Sequence, residues 1–251
     1  MKNLKGTFIL LLAAFIWGTA FVAQTSAGDN IGAFTFNACR NIIGALFLFV
    51  VIAILDMRKY SDRNDNLGEN NYNIDKKNYI INKKNYLTNA NKWPIKEGVI
   101  CGILLCIAMN LQQIGINTYP DGVAVSGRAG FLTATYVVMI AIASVFMGQK
   151  LHKLTIIAAF VCIAGMYLLC IAGGIDEIYV ADILELMCAV AFTIHMFTVD
   201  KCDKADGVKL SCIQFLTSGI LSGILMLIFD KADINSIMKA IIPILYAGVM
   251  S

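Results

Sequence analysis

The sequence predicts an all-α fold: a polytopic transmembrane helical bundle of inverted five-helix repeats, a ten-helix plan truncated to seven helices plus a partial eighth. Three observations lead there. Seven apolar runs, at residues 4–24, 34–55, 98–118, 123–147, 155–173, 181–199 and 208–229, each approach or exceed the ~20 residues a helix needs to cross a ~30 Å hydrocarbon layer. A water-soluble helix keeps one polar stripe and does not stay apolar all round for so long. Lysine and arginine are sorted to alternate loops, and the hydropathy envelope repeats along the chain.

The first run follows Lys2 and Lys5 and is interrupted by Trp17-Gly18-Thr19. It is longer than the 7–15-residue core of a signal peptide, so a retained first helix is expected. Asp29-Asn30 turns into the second run. The stretch 56–97 that follows carries nine of the 20 basic residues, and ten asparagines fall between 61 and 92. It cannot bury enough apolar surface to fold alone and is expected to be a flexible cytoplasmic insertion; attachment to anionic lipid heads is the alternative, weakened by its mixed charge. Tyr119-Pro120-Asp121-Gly122 joins runs three and four through a Pro-Asp-Gly turn signal. Gly148-Gln149-Lys150, Ile175-Asp176-Glu177 and Asp200-Lys201-Cys202-Asp203 make the next three short connections. An eighth run starts near Ile237, and its 15 residues to Ser251 reach only ~22 Å at ~1.5 Å each. Further helices are expected beyond it.

Sixteen of the 20 basic residues lie before run one or in the loops after runs two, four and six. Positively charged loops stay on the cytoplasmic side, so the expected location is the cell membrane, multi-pass, with the N-terminus cytoplasmic and helices 1, 3, 5 and 7 running outward. The chain is 58% hydrophobic and 15% charged with a net charge of +3, a loop property that points to a lipid bilayer and not to nucleic acid. Eight cysteines form no CxxC pair, and no HExxH is present, so neither a metal nor another cofactor is expected. A small-molecule substrate is the expected soluble partner, and a homodimer is left open.

Sliding the chain by 175 residues lays helix 1 on helix 6 and helix 2 on helix 7 without a gap. Leu11 then meets Leu186, Gly32 meets Gly207, Gly44 meets Gly219 and Leu46 meets Leu221. Helix 1 starts inside and helix 6 outside, which is the pattern of inverted repeats that hold a substrate between them. The expected units are 1–173 (helices 1–5, with the insertion at about 56–97) and 174–251 (helices 6–8, incomplete).

Phe15-Ile16-Trp17-Gly18-Thr19-Ala20-Phe21 and Phe34-Thr35-Phe36-Asn37-Ala38-Cys39-Arg40 resemble the opening helices of the drug/metabolite transporter superfamily, specifically its EamA-type members. Leu111-Gln112-Gln113-Ile114-Gly115, Ser126 to Thr133 and Tyr136-Val137-Val138 are similar to helices three and four of that family, and Ala181-Asp182-Ile183-Leu184 to the start of its second repeat. The resemblance covers nearly the whole chain outside the 56–97 stretch. It implies ten helices, both termini cytoplasmic, and export of amino acids, nucleoside-like metabolites or drugs. The chain departs from the pattern by its insertion and by lacking the last two to three helices.

Polar groups deep in a bilayer are costly and mark candidate sites. Counting from the outer helix ends, Arg40 and Arg128 lie about 9 Å deep, Gln113 and Asn110 roughly 8 and 12 Å, and Trp17 about 10 Å. With Tyr136 they form the expected substrate site. Two guanidiniums could clamp a carboxylate or phosphate, although six residues of depth also lets each snorkel to the interface. Asn110 and Gln113 could equally serve as interhelical hydrogen-bond partners. His195, about 20 Å into helix 6, and Glu185 are candidates for proton coupling, with a buried neutral histidine and a solvated carboxylate as the plainer readings. Helix 1 holds no carboxylate, which disfavours the scheme by which small multidrug relatives expel cations.

The function expected is transport of a small anionic or zwitterionic metabolite, such as an amino acid, by alternating access. A non-transporting sensor or a non-functional fragment is the alternative. An intramembrane serine protease built on Ser126 and His195 is remote, because Ala124-Val125-Ser126-Gly127 lacks the first glycine of GxSG and the two residues differ in depth by most of a leaflet. An enzyme is not expected.

Overall fold

The computed structural model describes residues 2–69, 93–148, 153–170, 178–231 and 233–250. Most of the expected flexible insertion, 70–92, lies outside the described residues. Helices account for nearly all the rest: α1 (Lys2–Gly28), α2 (Ala33–Glu69), α3 (Ile95–Thr118), α4 (Val125–Phe146), α5 (Lys153–Cys170), α6 (Val180–Asp200), α7 (Gly207–Phe229), α8 (Ile234–Lys239) and α9 (Ile241–Met250). Six of them, α1 to α4, α6 and α7, are long and apolar enough to span a membrane. This is an all-α, multi-pass membrane bundle.

Two boundaries differ from expectation. α2 runs on past Leu55 to Glu69, so the polar insertion begins as helix. Once a helix is nucleated each added residue gains a hydrogen bond, and propagation into a polar segment is cheap. The expected eighth helix is two pieces, since α8 ends at Lys239 with Ala240 as its C-cap and α9 begins at Ile241. α5 is described over Lys153–Cys170, and 171–173 of its expected run lie outside the described residues. The Pro120-Asp121-Gly122 turn is present, with Gly122 at φ 89°, in the left-handed region that glycine tolerates.

Side-chain contacts fix how the helices run. Along α2 and α7, Thr35 meets Asp230, Asn41 meets Ser218, Ala45 meets Cys212, and Asp56 meets Lys209; one number rises as the other falls, so the pair is antiparallel. α3 lies between α6 and α7 and is the most enclosed of the six long helices. It runs parallel to α7, with Asn110 against Ser222 and Gly102 against Thr217. α6 also packs on α4, while α9 packs on α1 and α2.

The polarity of the bundle is inverted relative to a protein in water. Phe8, Phe15, Phe146, Phe160 and Leu227 stand outside, while Asn37, Asn41, Gln113, Ser218 and Ser222 are fully buried. With lipid around it the bundle gains little by hiding large apolar groups, so small residues and interhelical hydrogen bonds hold the helices together. Gly102 is the sharpest case: a Cβ there would lie 2.6 Å from Thr217 Cβ and 2.9 Å from the Gln214 carbonyl oxygen.

Candidate functional site

The polar groups gather where α1, α2, α3, α4 and α6 meet, in two distinct arrangements. In the first, Asp182 stands in the first turn of α6 and accepts the Tyr179 backbone N–H at 2.9 Å, a favourable place for negative charge. Arg128 of α4 donates to it twice, from Nε to Oδ1 at 2.7 Å and from Nη2 to Oδ2 at 2.6 Å. Tyr119 Oη donates to Oδ1 at 2.7 Å, and the Tyr179 ring lies 4.9 Å from the guanidinium carbon. Burial, reinforced by the hydrogen bond to Asp182, pushes the Tyr119 phenol well above its ordinary value. Asp182 therefore has four donors, and Arg128 has a bidentate counter-ion.

The second arrangement is unsatisfied. Arg40 is only 3% exposed, its Nε has no hydrogen-bond partner among the described residues, and its guanidinium carbon sits 5.1 Å from the Phe36 ring centroid. Glu185 is fully buried, contrary to the solvated carboxylate that a position near the helix end suggested. Thr133 Oγ1 donates to its Oε2 at 2.8 Å and receives Gln112 Nε2 at 3.2 Å. Glu185 Oε1 has no partner and occupies the space that a side chain on Gly115 would fill.

Between these lies a ladder of amides. Gln113 Nε2 donates to the Gln24 carbonyl at 3.1 Å and to Asn117 Oδ1 at 2.9 Å. Asn37 Nδ2 donates to the Met109 carbonyl and to Asn110 Oδ1, both at 2.9 Å. Asn110 Nδ2 reaches the Cys106 carbonyl and Ser222 Oγ. Among the described residues, the buried oxygens Gln24 Oε1, Asn37 Oδ1 and Gln113 Oε1 have no donors.

Of the expected site residues, Arg40, Asn110 and Gln113 share this buried core. Arg128 is bound to Asp182, and no contact joins the two arginines. Trp17 is 47% exposed and lies off the core. Tyr136 is half-buried against Phe192, ring centroids 6.0 Å apart. His195 Nε2 pairs with Gln214 Oε1 at 2.7 Å, far along α6. Ser126 pairs with Thr25 at 2.9 Å, so it shares no hydrogen bond with His195. Asp182, Tyr119, Gln112, Thr133, Asn37 and Gln24 were not foreseen. Asn37 had a signal, being polar inside an apolar run and one helical turn from Arg40.

The EamA-like transporter family matches this chain over residues 4–69, which hold α1 and α2 with Asn37 and Arg40. Over those two helices the chain is similar to EamA-like transporters. It is similar to an uncharacterized transporter of Archaeoglobus fulgidus, 25% identical over 193 residues that make up 76% of this chain and 48% of that protein. The chain thus spans about half the length of this curated relative. A solved crystal structure shares the fold at a TM-score of 0.56 and 15% identity, covering 95% of this chain and 78% of its own. Among the described residues no cluster of His, Cys, Asp and Glu could hold a metal ion.

Proposed function

We propose that this EamA-type chain exports a small anionic or zwitterionic metabolite by alternating access between two inverted repeats, with its N-terminus in the cytoplasm. The observation that carries the reading is Arg40, a buried guanidinium on α2 whose Nε has no hydrogen-bond partner among the described residues. A charge left unpaired in a membrane interior is costly, and a ligand carboxylate or phosphate would satisfy it. Asn110 and Gln113 line the same core, and Trp17 and Tyr136 would bear on the site only in another conformation. Arg128 contributes through Asp182.

The helix contacts support the repeat. An offset of 175 pairs α1 with α6 and α2 with α7, and α3 falls opposite α8–α9 in that order once the polar insertion after α2 is left out. The α3–α6 contact then corresponds to α9–α1, α3–α7 to α9–α2, and α2–α7 to itself, and each of these pairs is in contact. The glycines agree to within one residue: Gly102 lies against Gln214 and Thr217, while Gly248 lies against Arg40 and Ile43, whose shifted positions are 215 and 218. Basic residues concentrated in alternate loops support the orientation.

The test is efflux from cells preloaded with labelled amino acids, organic acids and phosphate esters. Export of an anionic substrate should be lost in Arg40→Ala with membrane insertion unchanged. Wild-type rates in that variant would overturn the assignment of Arg40. No export above empty-vector cells for any probe would favour the sensor reading.

A further inference from the structure

α4 and α6 run parallel, because Arg128 meets Asp182, Thr133 meets Glu185 and Tyr136 meets Phe192, both numbers rising together. Beyond that last pair the two helices turn to different neighbours. Val138, Ala141 and Val145 of α4 line an apolar groove against α5, and His195 of α6 pairs with Gln214 of α7. The polar contacts across the α4–α6 seam therefore lie toward the end that carries the Asp121 turn. At that end Ile116, Tyr119, Ala129 and Ala181 form a buried cluster with Tyr179 packed on it, its ring edge-on to Tyr119 at 6.0 Å. Glu185 and Cys188 lie one and nearly two turns further along α6 than Asp182, both fully buried.

Two features allow this closure to part. Arg128 is the fourth residue of α4 and Asp182 the third of α6, and their side chains keep 21% and 9% of their surface exposed. Water at the end of the bundle can thus replace either partner as they separate, which a fully desolvated pair would lack. α4 is entered through the exposed residues 120–122, with open space around Gly122, and no side chain caps its first turn. Ser126 bonds Thr25, and Gly130 packs on Phe21, so α1 and the start of α4 can leave α6 together.

We infer that the Arg128–Asp182 pair is a gate: with Tyr119 and Tyr179 it closes the way from the Asp121 face to the interior of the bundle, and its parting admits water to Glu185 and Cys188. This rests on the reading of the bundle as a substrate path. Arg128 and Asp182 are positioning residues of that path. The forked geometry gives the gate a definite closed state, since both bonds depend on one alignment of guanidinium and carboxylate. Tyr119 adds a third bond to the same carboxylate, so loosening it weakens the closed state without removing a charge.

Native cysteines report the gate. A membrane-impermeant thiol reagent is applied to whole cells and, separately, to inside-out vesicles, and adducts at Cys188, Cys101 and Cys212 are timed by peptide mass spectrometry. The Asp121 face is the one from which Asp121→Cys is labelled. Cys101 and Cys212 are buried near the starts of α3 and α7, toward the opposite end, and report general loosening. Asp182→Asn, close in shape but uncharged, should speed labelling of Cys188 from the Asp121 face at least about tenfold, within the range of a two-state coupling, with Cys101 and Cys212 unchanged. Tyr119→Phe keeps the ring and should act in the same direction by less, which decides the matter where Asp182→Asn fails to fold. Equal Cys188 rates in wild type and variants, a rise shared by all three cysteines, or a rise seen only from the other face overturns the gate. The two readings fail separately. Gated labelling without efflux of any probe overturns transport and leaves the gate standing, whereas Arg40-dependent efflux with Cys188 rates unmoved does the reverse.

Discussion

The Arg128 guanidinium and the Asp182 carboxylate meet edge to edge through two bonds of 2.7 and 2.6 Å, one side chain from α4 and the other from the first turn of α6. The pair ties the two halves of the sequence together near one end of the bundle. Its partners are complete: Tyr119 and the Tyr179 backbone fill what Arg128 leaves of the carboxylate.

Removing one member of such a pair strands the other. Arg128→Ala or Asp182→Ala should destabilise the folded protein by about 3–5 kcal/mol, seen as a lower melting temperature in detergent. Arg128→Lys keeps the charge but loses the fork and should recover part of that loss. A ligand-clamping Arg128 would instead lower affinity with the melting temperature unmoved.

Gly102 and Gly248 face backbone carbonyl oxygens of α7 and α2, at 2.9 Å from each position's ideal Cβ. Backbone cannot rotate aside as a side chain can. Gly102→Ala and Gly248→Ala should each cost about 1–3 kcal/mol by overpacking, whereas Gly223→Ala, with open space at its Cβ, should be neutral or slightly stabilising. Thermal melts of the three variants check this, and equal losses at all three sites would contradict the packing.

Tyr119 has a phenol raised by burial and by its bond to Asp182. The folded protein therefore holds that proton where the unfolded chain, titrating near pH 10, releases it. Its contribution to stability is complete below about pH 10 and erodes as pH rises further. The melting-temperature gap between wild type and Tyr119→Phe should stay constant from neutral pH to about 10 and narrow above it. A gap that instead widens above pH 10 would contradict the buried, bonded phenol.

The orientation can be read with a membrane-impermeant thiol reagent. Asp121→Cys and Lys204→Cys both place a thiol on an exposed turn, one between α3 and α4 and the other between α6 and α7. In a background with Cys202→Ala, intact cells should label only the first, and inside-out vesicles only the second. The opposite pattern would reverse the topology and with it the direction assigned to transport.

Much of the bundle was legible in the sequence because a bilayer imposes length and polarity on each helix separately. A span must stay apolar for ~20 residues whatever it packs against, so the apolar spans of α1 to α4, α6 and α7 could be placed to within a few residues. The same rule made Arg40, Asn110 and Gln113 visible as polar exceptions. It could not say which exceptions meet. Depth along a helix fixes height, but the angle about the helix axis is chosen by packing, and that turned Arg128 toward Asp182, Glu185 inward behind Gly115, and Trp17 away from the core. The polar run after Leu55 misled for a related reason: composition opposes membrane burial there, yet nothing in composition stops a helix already begun from continuing to Glu69. The sequence by itself thus determined a multi-pass membrane bundle and its candidate polar groups, because hydropathy acts locally. Tertiary structure alone decided that one arginine is neutralised and the other left wanting a partner, because pairing depends on facing side chains from helices far apart in the chain.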